Sequence, residues 1–132
     1  MMKINFGYEE ENYIKRLFKG ESHPFDCVDF QTEKCLYEVK SCQLFIKCTG
    51  GNSKRINGIK PETTQLGRFF IKRHNHISLK ETAHKENKKA LYVFVLVIGK
   101  EKIWKIKTWN QTNKLLKKRG EHNPIRIKEI FR

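Results

Sequence analysis

"HPFDCVDFQTEKCLYEVKSC", residues 23–42, decides how this chain is read. Its apolar residues form no helical stripe. Its short apolar runs instead predict two strands, residues 25–30 and 35–40, joined by a polar turn at 31–34. Three carboxylates (Asp26, Asp29 and Glu38) and Lys40 are set into this half-buried stretch, where unpaired charge is costly. In a strand, residues i and i+2 point the same way. Glu38 and Lys40 therefore share one face, and Val39 turns to the other, into the core. The turn lets the two strands run side by side, which brings Asp26 towards Glu38.

The flanking sequence extends the pattern. Residues 8–19 read as a helix, with Tyr13, Ile14, Leu17 and Phe18 as its apolar stripe, three glutamates in its first turn and Gly20 at its end. "QLFIKC", residues 43–48, continues the second strand or makes a third. Residues 49–60 form a Gly/Asn/Ser loop carrying Lys54, Arg55 and Lys60. A helix is expected to open at Pro61, with Leu66, Phe69, Phe70 and Ile77 on one face. A capping box of Ser78 and Glu81 predicts a second short helix over 79–88, unless the two are one kinked helix. "LYVFVLVI", 91–98, is nearly all apolar, as a central strand covered on both faces should be. Residues 102–109 pair with it through a tight turn, 110–118 form a short basic helix, and 125–131 read as a last edge strand. The expectation is a single α/β domain spanning residues 1–132, with a central mixed five-stranded sheet flanked by helices.

The net charge is +14, from 28 Lys and Arg against 14 Asp and Glu. It is unevenly spread: residues 1–40 hold six basic and eight acidic residues, whereas 41–132 hold 22 basic and six acidic. Such a field attracts polyanions, of which nucleic acid is the commonest. A lysine-rich proteome would give the same balance with no partner at all. Cys27, Cys35, Cys42 and Cys48 contain no C-x-x-C spacing, which speaks against a zinc site. Cys27, Cys35 and Cys42, within or next to apolar strand runs, suit small buried hydrophobes, and a reducing cytoplasm without disulfides is expected. No secretory signal and no apolar run of membrane-spanning length is present, so no membrane partner is expected.

Two close carboxylates repel each other unless something positive sits between them. A hard divalent cation such as Mg²⁺, with Mn²⁺ as a substitute, takes oxygen ligands and keeps several waters. A neighbouring lysine cannot bind that cation. It can place a water and neutralise charge growing on a phosphate, which are the parts of metal-assisted phosphodiester hydrolysis. An isolated E-x-K is more commonly an exposed ion pair.

Pro24-Phe25-Asp26 followed by Glu38-Val39-Lys40, after a helix bearing Glu11, resembles the PD-(D/E)xK nuclease superfamily, also called restriction-endonuclease-like. The resemblance runs over residues 7–107, although the motif itself is a handful of positions. It implies Asp26 and Glu38 as metal ligands, Lys40 as the catalytic lysine, Glu11 (with Glu10 in reserve) as the acid on the first helix, and the Val39 carbonyl as a further metal ligand. It also implies a glutamine in the helix after the lysine strand, where Gln65 falls, and a product with a 5′ phosphate. Phe25 interrupts the Pro-Asp pair, which leaves Asp29 competing for the aspartate role. In size and basic surface the chain looks like archaeal Holliday junction resolvases and small phage or mobile-element nucleases.

The expectation is therefore a Mg²⁺-dependent endonuclease acting on DNA, with RNA left open. It would be a homodimer, since cutting two strands takes two sites, and would work in the cytoplasm, or a host's cytoplasm if phage-encoded. Lys54, Arg55, Lys60, Gln65, Arg68 and Lys72 are the expected nucleic-acid contacts. Two rivals share the basic surface: a binding module without turnover, and an assembly subunit of a phage or ribonucleoprotein particle. "HNH" at 74–76 is a coincidence of letters. On a helix His74 and His76 stand about 200° apart and cannot share a metal. His23 is read as a loop histidine beside the motif, and Trp104 and Trp109 as core or interface aromatics.

Overall fold

The computed structural model describes residues 7–49, 62–116 and 120–131. Within these, the chain runs α1 (Tyr8–Leu17), β1 (Phe30–Gln31), β2 (Cys35–Gln43), β3 (Phe45–Thr49), β4 (Glu62–Leu66), β5 (Arg68–Lys72), α2 (Arg73–Lys85), β6 (Lys89–Ile98), β7 (Glu101–Thr108), α3 (Trp109–Leu115), β8 (His122–Arg126) and α4 (Ile127–Ile130). The main sheet is mixed, in the order β1-β2-β6-β7. β2 and β6 run parallel, with Glu38 opposite Tyr92 and Lys40 opposite Phe94, while β1 and β7 pair antiparallel on either side. The sheet has four strands rather than the five expected, because two further pairs, β3-β4 and β5-β8, stand apart as small sheets of their own.

β6 separates two apolar layers, as the 91–98 run predicts. Tyr92, Phe94 and Leu96 pack on one side with Leu36, Cys42, Phe69, Ile71, Leu79, Ala83, Ile125 and Ile130. Val93 and Val95 pack on the other with Ile14, Phe30 and Tyr37, flanked by Phe18 and Val39. Each large side chain taken fully out of water contributes about 1.5–3 kcal/mol, so β6 anchors both layers. β7 is the outer strand. It leaves Ile103, Trp104 and Ile106 partly exposed, interspersed with Lys102, Lys105 and Lys107.

Three expectations fail, each for a physical reason. Residues 25–30 are not a strand: bends and a turn occupy 24–29, and only Phe30–Gln31 pairs with β2. Phe25 is exposed while Cys27, Val28 and Phe30 are buried, so there is no two-residue alternation to sustain a strand. The helix expected from Pro61 through Ile77 is instead β4, β5 and the start of α2. Along "RFFIK", Phe69 and Ile71 are buried while Arg68, Phe70 and Lys72 are exposed, a period of two in a β-prone sequence. The expected strand at 125–131 divides into the end of β8 and the short α4.

Gly67 joins β4 to β5 and brings the β5-β8 ribbon against the main sheet. A Cβ there would lie 1.9 Å from the Gln43 carbonyl oxygen, and the Gly67 N–H donates to the Leu44 carbonyl at 2.9 Å. No other residue allows so close an approach of two backbones.

Candidate functional site

The site grows out of the edge of β2. β1 covers that edge only at Leu36 and Tyr37. Beyond Tyr37 the side chain of Asp29 takes over from the strand. Its backbone N–H donates to the Tyr37 carbonyl at 2.9 Å, and its Oδ2 accepts the Val39 N–H at 2.6 Å. A strand residue's N–H and C=O lie on the same edge, so the Val39 carbonyl also points to this uncovered side. The Val39 side chain goes the other way, into the layer beneath α1, as its position between Glu38 and Lys40 predicts.

Glu38 and Lys40 share a face, and Glu38 Oε1 meets Lys40 Nζ at 2.8 Å. The Glu38 side chain is only 7% exposed, and among the described residues its Oε2 has no hydrogen-bond partner. Thr112 Oγ1 and Asn123 Oδ1 are also buried without partners, but a carboxylate oxygen is much the costlier group to leave so. Burial raises the Glu38 carboxyl above the usual range, against the pull of Lys40. Burial likewise raises Asp29, up to about 7; the Val39 N–H opposes that rise, and the charges of Glu11 and Glu38 add to it. Glu11 is raised by burial first, with Lys15 and Lys40 opposing and Glu38 reinforcing. Glu11, Asp29, Glu38 and Lys40 thus form one electrostatic cluster.

α1 delivers Glu11 through its first turn. Gly7 caps the helix at φ +107°, and a Cβ there would come within 3.3 Å of Ser41 Oγ, so the helix start lies directly on β2. Glu10, the reserve choice, is otherwise engaged. Its Oε2 accepts the Gly7 N–H at 3.1 Å and its Oε1 lies 3.8 Å from Lys102 on β7.

Asp26 stands exposed in the turn before Asp29. The acid whose charge interacts with Glu11, Glu38 and Lys40 is Asp29. The twelve-residue spacing that favours Asp26 presupposes a full strand at 25–30, and none forms. The usable signal was position: Asp29 immediately precedes the first paired residue, where a short carboxylate can reach the neighbouring strand's N–H.

Of the expected nucleic-acid contacts, Lys54, Arg55 and Lys60 lie outside the described residues. Gln65 is on β4, not on a helix, which removes the helical-glutamine match. Arg68 and Lys72 are exposed on β5. The histidines of 74–76 part company, as the helix geometry requires. His74 is exposed against Glu121, whereas His76 is buried, stacked on Trp109 at 4.1 Å between ring centroids. Burial first, with the charges of Glu38, Cys27 and Asp29, raises the Tyr92 phenol, whose oxygen lies 2.7 Å from His76 Nδ1. His76 Nε2–H then donates to Asn113 Oδ1 at 3.1 Å, and burial keeps the ring neutral. His23 is held by Glu86 at 2.8 Å. Trp109 is packed against the core, while Trp104 lies edge-on to Phe18 at the surface.

No family model, curated protein or solved structure matches the chain. The resemblance to PD-(D/E)xK nucleases therefore rests on these residues alone.

The donor set fits one kind of cation site. Among the described residues, no three His, Cys, Asp or Glu side chains converge closely enough to cage a metal. An oxygen site of one or two carboxylates, filled out by water and substrate phosphate, is the mode Mg²⁺ favours. An orphaned Glu38 oxygen, the Asp29 carboxylate and the outward Val39 carbonyl suit that mode.

Proposed function

We propose that this chain is a metal-dependent endodeoxyribonuclease with a restriction-endonuclease-like catalytic edge. The observation that carries the reading is Glu38: a buried carboxylate held at one oxygen by Lys40, with no partner for the other among the described residues, and with a charge that raises the proton affinity of both Asp29 and Glu11. A purely structural ion pair at such depth would be expected to have its remaining oxygen satisfied.

Glu38, Asp29 and the Val39 carbonyl would hold Mg²⁺, or Mn²⁺ in its place, with Glu11 acting through water. In this role Asp29 replaces Asp26. Bound there, the ion supplies neutralisation of phosphate charge and acidifies a coordinated water. Lys40 orients the attacking water and faces the charge that develops on the phosphate. Asp29 also keeps the edge of β2 open at Val39, because it takes that N–H without adding a strand. The +14 charge supports a polyanionic substrate.

The lack of a three-residue metal cage among the described residues favours a second reading, a nucleic-acid-binding module without turnover. One experiment separates the two. Supercoiled plasmid and a four-way junction are each incubated with the protein in Mg²⁺, Mn²⁺ or EDTA. Cleavage only with metal, reduced about 10²–10³-fold in Glu38→Gln and in Lys40→Ala, supports the nuclease. Retained binding without cutting in either metal identifies the module.

A further inference from the structure

The second strongly charged surface is the outer face of the β5-β8 ribbon. Its inner face buries Phe69, Ile71, Asn123 and Ile125. The register sets Arg68 opposite Arg126, Phe70 opposite Pro124, and Lys72 opposite His122 on the outer face. Phe70 is 59% exposed between Arg68 and Arg126 at one end and Lys72 at the other.

Two features make this arrangement unlike an ordinary solvated face. First, like charges directly opposite one another weaken a strand pair, and a two-stranded ribbon has little stability to spare. Among the described residues, Arg68, Lys72 and Arg126 form no ion pair. The nearby acids are used elsewhere: Glu121 contacts His74, and Glu129 accepts the Arg126 backbone N–H at the start of α4. The Arg68–Arg126 repulsion is left for an external anion to relieve. Secondly, the spacing is that of a nucleotide. Residues i and i+2 of a strand stand about 7 Å apart, so Arg68 with Arg126 on one side and Lys72 on the other flank the Phe70 ring at about 7 Å along the ribbon. Every base in a nucleic-acid strand is likewise flanked by two phosphates. An intact duplex hides the faces of its bases, whereas an unpaired strand exposes them.

We propose that the outer face of the β5-β8 ribbon binds an unpaired nucleic-acid strand, with a base stacked on Phe70 and the flanking phosphates on Arg68 with Arg126 and on Lys72. A groove of ≈ 520 Å³, whose lining includes Gln65, Arg68, Arg126 and Lys128, continues the surface at the arginine end. The ribbon meets the main sheet at Gln43, five residues beyond Glu38 on the same strand, or about 17 Å. The substrate class that follows is DNA with an unpaired segment next to duplex, such as a branch or flap. This deepens the nuclease reading and rests on its identification of nucleic acid as the partner, but it does not depend on cutting.

Binding is measured in EDTA by fluorescence anisotropy, with labelled oligothymidine and with a labelled duplex of equal length. The wild type is expected to bind oligothymidine more tightly than duplex. Phe70→Ala lowers oligothymidine affinity about tenfold, and Phe70→Trp restores it, which a folding defect would not allow. Arg68→Ala with Arg126→Ala reduces the slope of log affinity against log salt by about 1.4. Equal affinity of Phe70→Ala and wild type for oligothymidine overturns the proposal. So does polyglutamate competing as well as oligothymidine with no dependence on Phe70, which would identify a general polyanion surface. Metal-dependent cleavage with no role for Phe70 in binding would leave the nuclease reading standing and sink this one. Phe70-dependent binding without cleavage would do the reverse.

Discussion

The edge of β2 and the outer face of β5-β8 are both built from charge, and they treat it in opposite ways. At Glu38 and Lys40 opposite charges are paired at 2.8 Å and largely removed from water. At Arg68 and Arg126 like charges face each other on an exposed surface. Burial makes the first set expensive, and it raises the Glu38 carboxyl against the pull of Lys40. Exposure makes the second cheap to hold and easily screened, suited to a diffuse polyanion rather than to one bound ion.

The largest contrast is expected between Lys40→Met and Lys72→Met. The first leaves Glu38 buried without its cation, and chemical denaturation at pH 8 should show a loss of about 3 kcal/mol. That is the low end for a broken buried pair, because Lys40 keeps 22% of its side-chain exposure. Lys72→Met should stay within about 0.5 kcal/mol. Equal losses would mean that the two regions do not differ in the way described.

Asp29 gives the next effect, through pH. Its folded-state carboxyl is raised to about 7 from an ordinary 3.8. Below the ordinary value both folded and unfolded chains carry the proton, and Asp29 costs nothing. As pH rises from 3.8 towards 7, the unfolded chain releases its proton first, so the folded state loses stability across that window. A shift of this size corresponds to a few kcal/mol, on the order of 1.4 per pH unit. Asp29→Asn keeps an acceptor for the Val39 N–H and removes the charge. Thermal melts in EDTA should therefore show Asp29→Asn gaining on the wild type from pH 4 to pH 8, with no further gain above it. Added Mg²⁺ should stabilise the wild type at pH 8 and the variant much less. Parallel melting curves would remove Asp29 from the cluster.

The smallest effect is on the ribbon itself. Arg126→Ala relieves the facing guanidinium and should raise stability at low salt by about 0.2–1 kcal/mol. The gain should vanish at high salt, as screening removes the repulsion. A loss of stability would show that Arg126 packs or pairs in a way that the register does not convey.

Much of the β2 edge was legible in the sequence, because its signals are local. The i, i+2 relation alone puts Glu38 with Lys40 and sends Val39 to the core. The unbroken apolar run of 91–98 identifies a strand covered on both faces, and of the α1 stripe Ile14 and Phe18 face the core while Tyr13 and Leu17 are exposed. The partner acid was not legible, since Asp26 and Asp29 differ only in where the turn ends, and that is set by contacts to Tyr37 and Val39. The ribbon was harder still. Leu66, Phe69, Phe70 and Ile77 fit a helical face on paper, and only the fit of Gly67 against Gln43 and the pairing with β8 select the two-residue period. Non-local pairing overrides a local pattern when the local pattern supports both readings.

The open side of β7 has a consequence of its own. Among the described residues its backbone faces no neighbour in the main sheet, and Ile103, Trp104 and Ile106 would make such an edge a template for stacking chain upon chain. Lysines at 102, 105 and 107 punctuate that rim; Lys102 is engaged by Glu9 and Glu10, which leaves Lys105 and Lys107 to oppose a second molecule approaching strand-to-strand. Lysines on an edge are a device by which a sheet resists pairing with a second chain, so this rim is kept from the association that its apolar residues would favour.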